Sequence, residues 1–348
     1  MKVSLSFGVI ILILAHDPCF SQIEYNDADW GVHPMNYSRV GTAGWQFLKL
    51  PTNAKTASMG GVVSAISYGN ANAVFTNPAS LVDVKNYDFA TSRMNWIADI
   101  GYQSFSLVKN MSEYGSFGLS FVYLDYGSME RTENLPSYDA LGKNIGTIPV
   151  LDNLGTFSAA DMAMGFSYSR QITNKLQVGG TIKYLQQRLD DATTTTWSLD
   201  IGTLYYTGFH SLRISFVGKN FGPDAQFGTY NERIQVQPIK IKLPMILVFG
   251  AAYDILGGND DHPHHVVAAI EYVNPNDGRE KFNMGAEYSF MKILSLRAGY
   301  RVNYDEEGLT LGAGVNYEVI ELNIRIDYAY ISVGIFKQVH MFTIGMSF

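Results

Sequence analysis

The chain has 348 residues and a formal net charge of −7, with 47% hydrophobic and 16% charged residues. That charge argues against nucleic acid as a partner, which calls for a basic stripe. Beyond the N-terminal leader no uninterrupted apolar run reaches the ~18 residues of a membrane-spanning helix, whereas 22 Tyr, 20 Phe and 33 Gly suit many short strands with aromatic edges and tight turns.

The first 21 residues read as a secretory signal. Lys2 supplies a positive start, Leu5 to Ala15 an apolar stretch too short to span, and Cys19-Phe20-Ser21 a small-residue cleavage site. The mature chain then begins near Gln22. Cys19 is the only cysteine, and His16-Asp17-Pro18 before it does not form a lipoprotein box. Its removal leaves no thiol, which excludes disulfides, thiolate metal sites and cysteine nucleophiles.

Residues 22–85 alternate too little for long strands. Asn53 to Ser67 predicts a short helix interrupted at Gly60-Gly61, and Asn77-Pro78-Ala79 predicts a turn or helix start, because proline fixes its own φ and restricts the residue before it. The apolar content of this segment predicts that it packs inside or beneath whatever follows.

From about residue 86 to 348 the chain breaks into about fourteen segments of alternating character, and a period of two this persistent means sheet. Met162, Met164, Phe166 and Tyr168 alternate with Asp161, Ala163, Gly165 and Ser167; Leu322, Ile324, Ile326, Tyr328 and Tyr330 alternate with Asn323, Arg325, Asp327 and Ala329. A soluble sandwich would carry lysine and glutamate freely on its second face. Here that face is mostly Gly, Ala, Ser, Thr and Asn, which suits a crowded lumen. The fold expected is therefore all-β: a single antiparallel transmembrane β-barrel of about 14 strands with a partly helical N-terminal plug.

Charges on the inward face include Lys183, Asp200, Arg213, Glu271, Glu287, Arg297, Arg301, Arg325 and Asp327, and mutual pairing across strands is their expected role. If Tyr288 and Leu296 both face lipid, Met291-Lys292-Ile293 is the turn and Glu287 lies opposite Arg297. The long connections, about Gly127 to Ser158 and about Lys219 to Lys242, both follow odd-numbered segments, as the outer loops of such barrels do. The last segment, Val339 to Phe348, is expected to pair with the first, near Asn86 to Asn95, and so leave no open edge.

Chemistry-bearing clusters are few. Asp260-Asp261-His262-Pro263-His264-His265 holds metal-ligating residue types, but its proline and its crowding of neighbours oppose convergent geometry. Asp305-Glu306-Glu307 lacks the spaced ligands of a calcium loop. No phosphate loop, nucleophile elbow or zinc-protease motif is present. No catalytic residue, metal or cofactor is expected, and no enzymatic role.

Several stretches, taken in order, resemble the PorV/PorQ family of outer-membrane proteins, whose fold is similar to the FadL-type fatty acid transporters. They are Gly44-Trp45-Gln46-Phe47-Leu48-Lys49-Leu50-Pro51, Met59-Gly60, Asn77-Pro78-Ala79-Ser80-Leu81, Asn220-Phe221-Gly222-Pro223, Leu243-Pro244 and Ile326-Asp327-Tyr328-Ala329-Tyr330. The resemblance implies a fourteen-stranded barrel in a bacterial outer membrane with N-terminal residues inside it. It marks Phe47, Leu48, Pro51, Met59, Gly60, Asn77, Pro78 and Ala79 as plug residues, beside the lumen charges Glu287, Arg297, Arg325 and Asp327.

It also implies a role in type IX secretion, with outer loops binding secretion partners or exported cargo proteins. FadL-like relatives instead imply passage of hydrophobic small molecules. A wall sealed all round with paired charges within would favour protein partners; an apolar lumen pocket would favour transport. Outer-membrane lipid is a partner in either case.

Overall fold

The structure is a computed structural model that describes residues 39, 41–67, 69–139, 141–150, 154–226, 240–257, 262–319, 322–336 and 338–348. The expected signal peptide and the start of the plug segment lie outside these residues. So do Asp260 and Asp261.

Strands occur in the order β1 (Tyr87–Asn95), β2 (Gly101–Asn110), β3 (Ser116–Glu130), β4 (Glu133–Tyr138), β5 (Asn144–Val150), β6 (Thr156–Gln171), β7 (Leu176–Leu189), β8 (Ala192–Tyr206) and β9 (Arg213–Phe221). They continue with β10 (Ala225–Gln226), β11 (Lys240–Ile241), β12 (Ile246–Leu256), β13 (His264–Pro275), β14 (Lys281–Phe290), β15 (Leu294–Val302), β16 (Glu307–Val319), β17 (Leu322–Val333) and β18 (Val339–Ser347). Fourteen of them form one closed antiparallel barrel, in which β1 pairs with β18 from Asp88 opposite Ser347 to Asn95 opposite His340. Closure satisfies every strand's backbone within the ring, as a membrane interior requires.

Alternation decides which side chains meet lipid. Along β6, Met164, Phe166 and Tyr168 are exposed while Ala163, Gly165, Ser167 and Ser169 are buried. On β18, Phe342 and Ile344 point outward and Met341 and Thr343 inward. The exterior is thus an apolar band and the interior is small and polar.

Odd-numbered connections do form one end of the barrel, but the longest is not a bare loop. Within it β4 and β5 make a separate two-stranded sheet, with Leu135 opposite Ile148. The expected loop bounds also shift outward, because β3 runs to Glu130, past a register break between Asp125 and Ser128 where Gly127 takes a φ of 73°. The second long connection carries the short β10–β11 pair.

The segment before β1 lies in the lumen. It comprises a 3-10 turn (Gln46–Lys49), α1 (Ala54–Ser58), α2 (Ala73–Thr76) and a second 3-10 turn (Pro78–Asp83). Ala43 bridges to Lys242 at the end bearing the long hairpins, whereas Asn110 Nδ2 at the opposite end donates to the Val84 carbonyl at 2.7 Å. The segment therefore threads the barrel's whole height.

Candidate functional site: the plugged lumen

At the end with long hairpins the Gln46–Lys49 turn roofs the lumen. Trp45, with a φ of 47°, turns the chain inward so that its own ring and Phe47 are buried. The turn is clasped to Asp277, in the connection between β13 and β14: Lys49 Nζ donates at 2.5 Å and Gln46 Nε2 at 2.8 Å. Burial opposes ionisation of Asp277, but the hydrogen bonds from Lys49 and Gln46 outweigh it and hold the carboxyl below the usual carboxylate range.

Because that pKa is depressed, the clasp is intact above the ordinary carboxylate pKa and is lost only as pH falls below it. Asp277→Asn removes the charge-assisted bonds, and amide exchange across residues 43–50 is expected to accelerate about tenfold. In planar bilayers the wild-type chain should leak only once pH falls below the ordinary carboxylate range, the variant at neutral pH as well. Equal exchange in both proteins would discard the clasp.

Deeper in the lumen α1 is fixed at its N-terminal end. Asn53 caps it, accepting from Thr56 N at 2.8 Å, and Ala54 N donates to Thr343 Oγ1 on β18 at 2.8 Å. From its middle Lys55 reaches Glu287 at 3.0 Å. The register across β14 and β15 sets Glu287 opposite Arg297 around the Met291–Ile293 turn, and the two side chains form an ion pair. Arg297 also holds Asp327 at 2.6 Å. Arg325, by contrast, turns to Asp88 on β1 at 2.7 Å. Asp88, which alternation alone did not single out, also accepts from Ala71 N at 2.7 Å and so ties the plug to the seam where the barrel closes.

Two glycine seats bring plug backbone against barrel backbone. At the first, Gly285 and Gly299 face each other on β14 and β15, and a Cβ on either would strike Met59 or Gly60; Gly60 itself takes a φ of 70°. At the second, Gly179 and Gly202 face each other on β7 and β8, and a Cβ there would strike Asn77, Pro78 or Ala79. Asn77, fully buried, donates to the carbonyls of Ser64 at 2.7 Å and Thr203 at 3.0 Å and accepts from Ala79 N at 3.1 Å. Ser169 Oγ on β6 completes the seat by donating to the Ala79 carbonyl at 2.9 Å.

The structure thus places Met59 and Gly60 at one seat, Asn77, Pro78 and Ala79 at the other, and Phe47 and Leu48 in the roof; Pro51 is buried between roof and α1.

Beneath the roof lies a lumen cavity of about 40 Å³. Phe47, Leu48, Val74, Phe75, Val122 and Ala163 give it apolar walls. Tyr102, Lys183, Asp200, Lys219 and Asn220 also line it. Lys183 pairs with Asp200 at 2.8 Å, and Lys219 donates to the Phe75 carbonyl at 2.9 Å.

On the outer wall a wider apolar groove of about 570 Å³ is lined by Phe105, Leu119, Met164, Phe166, Ile182 and Trp197. Groove and cavity share Ser120, Gly165 and Lys183, which lie in one row across β3, β6 and β7. A single thickness of backbone separates them there.

The histidine cluster does not converge. His264 Nδ1 shares a hydrogen bond with Tyr288 Oη at 2.8 Å, His265 lies 3.4 Å from Asp254, and among the described residues no cluster suits a metal ion.

No protein-family model matches the chain, and no curated relative matches it. Solved structures do. A monoaromatic hydrocarbon channel, CymD, aligns over 85% of this chain and 97% of its own, with 14% identity and a TM-score of 0.56. The Ralstonia pickettii toluene transporter TbuX aligns over 85% and 98%, with 14% identity and a TM-score of 0.52. A Pseudomonas aeruginosa FadL homologue aligns over 85% and 97%, with 10% identity and a TM-score of 0.53. The barrel has the fold of the FadL-like proteins. That fold, with its apolar exterior, places the chain in a bacterial outer membrane.

Proposed function

We propose that the chain passes small hydrophobic molecules across the outer membrane, between the lumen and the bilayer, and performs no chemistry on them. The row Ser120–Gly165–Lys183 carries this reading, because it is a wall shared by an internal, largely apolar cavity and an apolar groove open to lipid. The channel and transporter descriptions of the fold neighbours support it. In the arrangement seen, about 40 Å³ admits a water or two, so passage requires the roof to open.

The test is uptake of radiolabelled toluene by cells with and without the chain. A several-fold gain is expected, and Gly165→Leu, whose side chain would meet Ser120 and Thr181, is expected to abolish it. Equal uptake with and without the chain would sink the proposal.

The PorV-like reading, binding of secretion partners or cargo, keeps one observation in its favour. The wall is hydrogen-bonded all round, Arg297 and Arg325 are paired with carboxylates within it, and the β4–β5 sheet exposes Leu135, Tyr138, Ile145 and Ile148 at the outer end. Affinity capture from detergent-solubilised membrane, with residues 131–155 deleted as control, decides it: loss of co-purified secretion proteins on deletion would support that role, and their absence from the intact chain would remove it.

A further inference from the structure

The charged groups around the cavity are committed to partners. Lys183 is held by Asp200 and Asn220, Lys219 by the Phe75 carbonyl, and Glu271 by the backbone amides of Val63 at 2.7 Å and Ser64 at 2.6 Å. Tyr102 is not committed. It lines the cavity, its side chain is fully buried, and its hydroxyl has no hydrogen-bond partner among the described residues. Trp45, in the same apolar cluster, is also fully buried with its indole N–H unpartnered.

Burying a hydroxyl without a partner costs about 1–3 kcal/mol, and buried tyrosines usually find one. Phenylalanine would fill the same volume without that cost. Packing therefore does not explain the oxygen. An apolar pocket with one unsatisfied donor is the arrangement that orients a ligand by a single acceptor.

We infer that the route prefers small apolar molecules carrying one hydrogen-bonding oxygen, such as phenols, aromatic alcohols or ketones, over bare hydrocarbons, with Tyr102 reading that oxygen. The inference rests on the transport reading and names its substrate class. Its physical basis is one unmet hydrogen bond. The Tyr102 hydroxyl lies out of reach of water while the roof is closed; once the roof opens, a cargo oxygen can accept its bond, whereas a hydrocarbon leaves the hydroxyl bare.

The experiment compares chain-dependent uptake of radiolabelled p-cresol and toluene, which differ by one hydroxyl, after subtracting uptake by cells lacking the chain. Wild type is expected to favour p-cresol by roughly fivefold, the worth of one net hydrogen bond. Tyr102→Phe should bring the ratio near unity. Trp45→Phe, in the same cluster but outside the cavity lining, should leave the ratio as in wild type, and heat-modified gel migration checks that both variants fold. A ratio unchanged in Tyr102→Phe, with toluene uptake intact, overturns the inference and leaves the transport reading standing. Chain-independent uptake of both solutes overturns both.

Discussion

Arg297→Met is expected to lower the unfolding free energy by about 3–5 kcal/mol, the largest stability loss of any single charged residue in the lumen. Its side chain is 5% exposed and serves two carboxylates, Glu287 at 8% and Asp327 at 11%. Lys55 pairs with Glu287 and supplies one positive charge where two carboxylates stand. Removing the guanidinium leaves buried negative charge facing buried negative charge, and the penalty of that arrangement far exceeds the net worth of the original bonds. Room for the guanidinium comes from Gly314, opposite Asp327, where a Cβ would stand 2.9 Å from Arg297 Nη1.

The measurement is denaturant unfolding in detergent, followed by heat-modified gel migration. The control is the triple variant Glu287→Gln, Arg297→Met, Asp327→Asn, which removes the stranded charges and should recover most of the loss. A single variant as stable as wild type would refute the shared-cation account; a triple variant as unstable as the single would show that packing, not charge, is responsible.

Gly202→Val is expected to leave the barrel closed and unseat the lower plug. Gly202 pairs with Gly179 on one side and Val217 on the other, and β-branched valine suits a strand. Its side chain, however, would occupy the space of the Asn77 amide and of Pro78 Cδ, 2.9 Å from the Cβ. Asn77 then loses its three hydrogen bonds, each worth about 0.5–1.5 kcal/mol, while the backbone of residues 77–79 is lifted off the wall. A loss of even ~1.4 kcal/mol shifts the plugged-to-open ratio tenfold. Single-channel recording should therefore show an open-state occupancy at least about tenfold above wild type. Gly179→Val should repeat the effect, because the same seat is filled from the neighbouring strand. Conductance unchanged in both variants, with normal migration on gels, would mean that the seat does not hold the plug.

The barrel itself was largely legible in the chain. Period-two patterning, the turn at Met291–Ile293 and the pairing of the last segment with the first depend on local sequence and on the rule that a sheet in lipid must close, so they could be read without coordinates. The loop after β3 was less legible. Its residues alternate weakly, and β4 and β5 find each other only because the strands beneath them bring their ends together.

The lumen separates the two kinds of information most clearly. Sequence alone indicated that Glu287, Arg297, Arg325 and Asp327 face inward, because strand alternation is set by bond geometry, and that Asn53 to Ser67 does not form a long strand, because its residues alternate too little. Only the tertiary structure decided that Arg325 belongs to Asp88, 237 positions away, that Lys55 of the plug shares Glu287 with Arg297, and that glycines scattered over β7, β8, β14 and β15 form two seats. These are contacts between surfaces that meet only after the ring has closed around its own N-terminal segment. The reason Tyr102 carries an unpartnered oxygen is of the same kind: a strand residue becomes a reader of cargo only when Phe47 and Leu48 arrive to roof it.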